Sequence, residues 1–301
     1  MSGLPPIWLT ALRVLTIAGS LLPLGGWAMW LLSQPAVAAH DRLWGRLRQQ
    51  TGAASGLALV AGVGWLAAVS VQLAGAPPAL GTVSAQWSAV LWQTAFGRAW
   101  MLRCAGLFSL LMLAVPRRRP RPVLAWLGLA AAALAAASLS LASHAAAASQ
   151  RWRLFADLAH VLAAALWLGA LPLLAAMLYG DGAEPARAQR VIRRFSRMGV
   201  VCVAVLAFSG GVNASPLGLS AAVWWGSGYG RMVLVKIALF SAMLGLAAYN
   251  RWRLTPCLAG TEARAAMQAL RRSIGAELLL GAVILMVVGM LGATMPPHTA
   301  G

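Results

Sequence analysis

Hydrophobic residues are gathered into eight stretches, and short polar segments separate them. Each stretch is close to the roughly 20 residues that a helix needs to cross the hydrocarbon core of a bilayer. Helix is the expected form, because lipid cannot satisfy exposed backbone N–H and C=O groups. The stretches comprise residues 7–32, 52–73, 99–115, 123–142, 155–179, 198–214, 232–249 and 274–293.

Composition supports the same fold class, an all-α, polytopic integral membrane protein of about eight transmembrane helices. Only 10% of the 301 residues are charged, whereas soluble domains carry about 25%. The first stretch is long and no charged segment precedes it, so we interpret it as a transmembrane helix and not as a cleaved signal peptide.

The net charge of +18 is concentrated in alternate loops. Because cytoplasmic loops carry an excess of arginine and lysine, this pattern predicts that these loops are cytoplasmic and that both termini lie outside. It favours contact with anionic lipid and gives no reason to expect nucleic acid. The four arginine-rich segments lie within 42–48, 117–121, 187–197 and 251–272.

A short motif occurs twice, at the start of the third and of the seventh stretch. Phe96-Gly97-Arg98 precedes Arg103, and Tyr229-Gly230-Arg231 precedes Lys236. The motifs are four helices apart, which predicts two duplicated four-helix halves. Arg231 can anchor at the headgroups, whereas Arg103 and Lys236 lie deeper and must snorkel or pair with a carboxylate.

Three of the four histidines belong to the outer side of the predicted topology: His144, His160 and His298. Met295, three residues before His298, adds a thioether. Imidazole binds Cu(II) or zinc, and imidazole with thioether suits Cu(I). We therefore interpret His144, His160, Met295 and His298 as candidate copper ligands.

The fifth stretch carries Asp157, His160 and Trp167 within an arc of about 80° on a helix of 100° per residue. A carboxylate one turn from an imidazole can orient the ring as a metal ligand. Asp157 could equally pair with Arg103 or Lys236. Glu277, near the opposite end of the last stretch, could pair with a loop arginine or serve as an inner polar group.

A series of motifs resembles the CopD/PcoD copper-resistance family of bacterial inner-membrane proteins. The clear matches run from about residue 139 to residue 297, and Phe96-Gly97-Arg98 supplies a weaker one before them. They are Ser143-His144-Ala145, Asp157 to His160, Trp167-Leu168-Gly169, Phe195-Ser196-Arg197, Ser209 to Asn213, Tyr229-Gly230-Arg231, Lys236, Asn250 to Arg253, Arg272-Ser273, Glu277, Leu291 to Thr294 and Pro296-Pro297.

The resemblance implies a multi-pass protein of the inner membrane that handles copper with a separate periplasmic copper-binding protein of the CopC type. It implies metal-binding roles for His144 and His160, and supporting roles for Asp157, Asn213, Arg231 and Lys236. We accordingly divide the chain into an N-terminal transmembrane half, 1–121, and a C-terminal part, 122–301, that carries most of the motifs.

Three functions remain open at this stage. The first is a transporter that binds copper at the periplasmic face and moves it inward. The second is a haem-b electron carrier, which needs two facing axial histidines. The third is a non-transporting copper-receptor scaffold. An enzyme is not expected, because the chain has no nucleophile motif, phosphate loop or carboxylate pair at a common depth.

Overall fold

The computed structural model describes residues 6–33, 40–74, 83–116, 121–142, 151–180, 184–218, 221–292 and 294. Within these ranges the chain is helical, and eight helices are long and apolar enough to span a membrane. The predicted fold class is confirmed. The spanning helices are α1 (Ile7–Ser33), α2 (His40–Ala74), α4 (Ala95–Ala114), α5 (Pro122–Leu141), α6 (Arg151–Tyr179), α7 (Pro185–Ala214), α9 (Gly228–Tyr249) and α11 (Ala263–Leu291).

Three helices begin 11 to 13 residues before the hydrophobic stretches that predicted them: α2, α7 and α11. The added turns are rich in arginine, glutamine and alanine, which are good helix formers. Hydrophobicity marks only the part of a helix that lipid surrounds, so it misses these turns. We call the side on which they lie the arginine-rich side, and the side on which α6 begins the histidine side.

Two short helices lie between the predicted hydrophobic stretches, within residues 74–97 and 215–230. These are α3 (Val83–Gln93) and α8 (Ala221–Gly226), and each leads directly into a spanning helix. Each ends at a capping hydroxyl. Thr94 Oγ1 accepts from Gly97 N at 2.9 Å, and Ser227 Oγ accepts from Gly230 N at 2.9 Å. The two copies of the repeated motif therefore form the same helix–cap–helix structure.

The α1 and α6 helices cross at the centre of the bundle. Each contains a proline in its interior, Pro23 in α1 and Pro172 in α6. A side chain on Gly25 would collide with the backbone of Gly169 and Ala170. Small residues at such crossings let helix backbones approach closely in membranes. Gln50 Nε2 of α2 donates to the Gly169 carbonyl at 3.2 Å and reinforces the crossing.

The α9 helix lies at the periphery and packs chiefly against α11 and α8. It continues through a π-helical turn, Asn250–Leu254, and a last helical turn, α10 (Thr255–Cys257). Only Gly230 and Met243 are buried within Gly228–Tyr249. This loosely packed helix carries Lys236 and Phe240, which meet residues of α6 in the interior.

Candidate functional site

The centre of the candidate site is His160, which α6 directs toward α7 and α9. Its Nδ1 lies 3.0 Å from Ser209 Oγ of α7, and its Nε2 lies 3.5 Å from Lys236 Nζ of α9. A single imidazole thus joins three helices on the histidine side.

The protonation of this imidazole follows from the hydrogen bonds of Ser209. The Ser209 hydroxyl donates to the Val205 carbonyl at 2.6 Å, so its oxygen is left to accept from His160 Nδ1–H. With the proton on Nδ1, Nε2 presents a lone pair, which accepts from the Lys236 ammonium. Metal-binding histidines have the same arrangement, in which the second ring nitrogen donates to a fixed acceptor.

Asp157 lies one turn from His160 and completes a polar group on the same face. Asn213 Nδ2 of α7 donates to Asp157 Oδ1 at 3.2 Å. The Asp157 carboxylate also attracts the Lys236 ammonium. This negative charge lowers the cost of holding the cation within the membrane.

Trp167 lies two turns further into the bundle than His160, and only 2% of its surface is exposed. Its ring meets Phe240 of α9 edge to face, with the ring centroids 6.0 Å apart. Phe240 follows Lys236 by one turn. This aromatic pair, Trp167 and Phe240, lies directly inward of the His160–Lys236 contact on the same two helices.

Arg103 occupies a different part of the molecule. It is 1% exposed, and its Nε donates to Ser138 Oγ of α5 at 3.1 Å. Its guanidinium lies 5.8 Å from the ring centroid of Trp65, and Arg13 lies 5.0 Å from the same centroid. Of the two cations predicted as partners for Asp157, Lys236 contacts His160, one turn from Asp157, whereas Arg103 lies against Ser138 and Trp65.

The other predicted residues are placed as follows. Arg231 is exposed at the start of α9, as expected of a headgroup anchor. His144, Met295 and His298 lie outside the described residues, so their assembly with His160 stays a prediction. Within the described ranges, no group of three or more His, Cys, Asp or Glu side chains could hold a metal.

Two residues of the site were not singled out from the sequence as site residues, Ser209 and Phe240. Ser209 is one residue of the Ser209 to Asn213 motif and carries no signal of its own there. A Cβ at Gly210 would lie 3.6 Å from His160 Cε1, an ordinary van der Waals distance, so the ring does not require glycine beside it. Phe240 carries no such signal, because phenylalanine is common in any membrane helix.

The fold and the site together define a class: a multi-pass helical membrane protein with a half-buried imidazole that faces a lysine ammonium. Comparison with known families identifies it further. Residues 4–154 match the family model described as copper resistance protein D-like, N-terminal domain, and residues 189–291 match the model for copper resistance protein D. The chain belongs to the copper resistance protein D family, a family of bacterial inner-membrane proteins.

Three curated relatives support this membership. Copper resistance protein D of Pseudomonas syringae pv. tomato is 32% identical over 222 residues, 69% of this chain and 71% of the relative. Copper transport protein CutJ of Bacillus subtilis is 30% identical over 53% of this chain and 31% of the relative. Inner membrane protein YebZ of Escherichia coli is 28% identical over 70% and 72%, respectively. No solved structure matches the chain.

Proposed function

We propose that this protein binds copper at the periplasmic face of the inner membrane through His144 and His160 and moves it toward the cytoplasm. Membership in the copper resistance protein D family supports copper handling. The Bacillus subtilis relative is named a copper transport protein, which favours movement of the ion over storage.

The orientation that we propose places the histidine side in the periplasm. The arginine-rich turns of α2, α7 and α11 then lie in the cytoplasm, as the positive-inside pattern requires. Both termini are periplasmic in this arrangement. His160, nine residues after the start of α6, would then lie about 14 Å along that helix from its periplasmic end.

The observation that carries the proposal is the position of the His160 ring, with Nδ1 3.0 Å from Ser209 Oγ and Nε2 3.5 Å from Lys236 Nζ. The 3.5 Å contact is at the long limit of a hydrogen bond, so it is a weak one. A copper ion that displaced the lysine ammonium would replace one cation by another at His160 Nε2. Met295 beside His298 would favour Cu(I), and imidazoles alone would accept Cu(II) as well.

Delivery of the ion is assigned in this proposal to a periplasmic copper-binding protein of the CopC type. Its docking would place the ion near the start of α6, where His144 and His160 follow one another along the chain. Inward movement would then pass the aromatic pair, Trp167 and Phe240, which lies between His160 and the arginine-rich side.

Copper uptake into proteoliposomes of known orientation tests this function. The wild type is compared with the His144→Ala, His160→Ala double variant, and His40→Ala serves as the matched control because His40 starts α2 on the arginine-rich side. Loss of uptake in the double variant alone supports the proposal. Equal uptake in all three proteins overturns it.

Two further readouts separate the alternatives. Copper binding without uptake in the wild type would favour the non-transporting receptor. An intense Soret absorption band in the purified protein would favour the haem-b electron carrier.

A further inference from the structure

A cavity of about 140 Å³ lies between α6, α7, α9 and α11, inward of the aromatic pair. Trp167 forms part of its wall, and its polar residues are Ser196, Asn250, Arg251 and Glu277. The rest of the lining is largely aliphatic and aromatic. Its volume leaves room for several water molecules next to the polar groups.

Glu277 is the acidic residue of this cavity and is 2% exposed. Its Oε1 accepts from Asn250 Nδ2 at 2.7 Å. Arg251 is the other charged residue of the lining, and its Nη1 donates to Ser196 Oγ at 2.6 Å. Across the described residues, Glu277 forms no ion pair. A buried carboxylate supported only by a neutral amide is strongly destabilised.

A second observation concerns the other end of the amide. Asn250 Oδ1 is buried and has no hydrogen-bond donor in the described part of the chain. A proton on the Glu277 carboxyl would supply one, giving an acid–amide pair with two hydrogen bonds. Turning the amide by 180° leads to the same result, because two oxygens 2.7 Å apart require a proton between them.

A π-helical turn and an unpartnered hydroxyl adjoin the Glu277–Asn250 pair. Asn250 begins the π-helical turn, Asn250–Leu254, and Thr255 Oγ1 donates to the Asn250 carbonyl at 2.6 Å. Such π-turns occur frequently at functional sites. Ser273, one turn from Glu277 toward the arginine-rich side, has a buried hydroxyl without a partner among the described residues, which gives water a place to bind.

We infer that Glu277 and Asn250 form a proton-binding site, in which the Glu277 carboxyl holds a proton that exchanges with water through the cavity. The site goes beyond the proposed copper function and requires no copper. Proton binding converts the carboxylate into a carboxylic acid whose O–H donates to Asn250 Oδ1, and proton release restores the carboxylate.

Infrared difference spectroscopy tests this site on the full-length protein in nanodiscs without copper. At neutral pH the wild type should show the C=O band of a protonated carboxylic acid, and Glu277→Gln should lack it. Glu184→Gln, which changes an exposed carboxylate, should retain it. Asn250→Leu should move the band to higher wavenumber, because the carbonyl loses its amide donor.

Dicyclohexylcarbodiimide, which reacts with protonated carboxyls in apolar surroundings, provides an independent probe. Peptide mass mapping should find Glu277 modified, with the modification decreasing as pH rises through the range in which the infrared band disappears. Identical carboxylic-acid bands in the wild type and Glu277→Gln would overturn the inference. Absence of copper uptake would not change the infrared band or the carbodiimide modification. The copper-transport proposal and the proton-binding proposal can therefore be rejected independently of each other.

Discussion

Lys236 Nζ lies 3.5 Å from His160 Nε2, so an ammonium ion occupies the position at which a metal would meet this imidazole. The two residues differ in how firmly their positions are fixed. His160 is fixed on α6 by Ser209, whereas Lys236 extends from the peripheral α9 on a flexible side chain. The contact can therefore open by movement of the lysine alone, and in the proposed function this movement would admit copper to Nε2 without rearrangement of the bundle.

Removing the lysine ammonium should strengthen copper binding. In Lys236→Leu the competing cation is absent and no new metal ligand is introduced, and charge repulsion of about 4 kcal/mol at 4 Å and an effective dielectric constant near 20 is relieved. Solvent and neighbouring groups reduce that figure, so we expect copper affinity to increase at least about tenfold. Competition titration with a chelating dye measures it. Arg98→Leu, which removes an exposed cation at the start of α4, should leave affinity unchanged.

Ser209→Ala should weaken copper binding although Ser209 contacts no metal. The variant loses the acceptor for His160 Nδ1–H, and with it the preference for a lone pair on Nε2. Loss of such a supporting hydrogen bond costs about 10- to 100-fold in metal affinity. Ser215→Ala is the matched control, because the Ser215 hydroxyl bonds only to its own helix at Val212. Equal affinity of Ser209→Ala and wild type would contradict this role.

The aromatic pair should limit the rate of copper movement more than the affinity. Phe240→Ala removes the ring that meets Trp167 and opens a path between His160 and the inner cavity. We expect faster uptake in proteoliposomes, with a dissociation constant close to that of the wild type. Phe208→Ala truncates a ring that is 78% exposed on α7 and should change neither quantity. Slower uptake by Phe240→Ala would show that the ring assists movement.

The crossing of α1 and α6 should tolerate no side chain at Gly25. Gly25→Val would drive a branched side chain into the backbone of Gly169 and Ala170, so the helices must separate. Overpacking costs about 1–3 kcal/mol, and backbone collisions reach the upper end of that range or exceed it. Thermal unfolding in detergent measures the loss. Gly245→Val, where a Cβ meets nothing within 4 Å, should unfold at the wild-type temperature.

The sequence predicted the face of α6 on which His160 lies, but it did not predict which residues of other helices contact that face. Asp157, His160 and Trp167 share one face of α6 because helical periodicity alone decides it. Their partners are Asn213, Lys236 and Phe240, which come from α7 and α9, 40 to 80 residues away along the chain. Periodicity within one helix carries no information about which face of another helix it meets.

Glu277 illustrates the same limit. Its sequence position allowed either a loop arginine or an inner polar role, and the structure pairs it with Asn250 inside a cavity. Asn250 comes from the π-helical turn that follows α9, 27 residues before Glu277, so the position of Glu277 on α11 does not indicate this partner. The hydrophobic pattern of the chain does not reveal that local change of helical period.

By itself the sequence determined the eight spanning helices, since the cost of burying backbone polar groups in lipid leaves a long apolar segment no other form. It also determined which residues of α6 share a face. Only the tertiary structure decided that Lys236, and not Arg103, lies against His160, because packing of α9 against α11 and α8 sets where that cation enters the bundle. Helix–helix packing in membranes depends on the shape of small contact surfaces such as Gly25 with Gly169, and that shape is formed only when the helices meet.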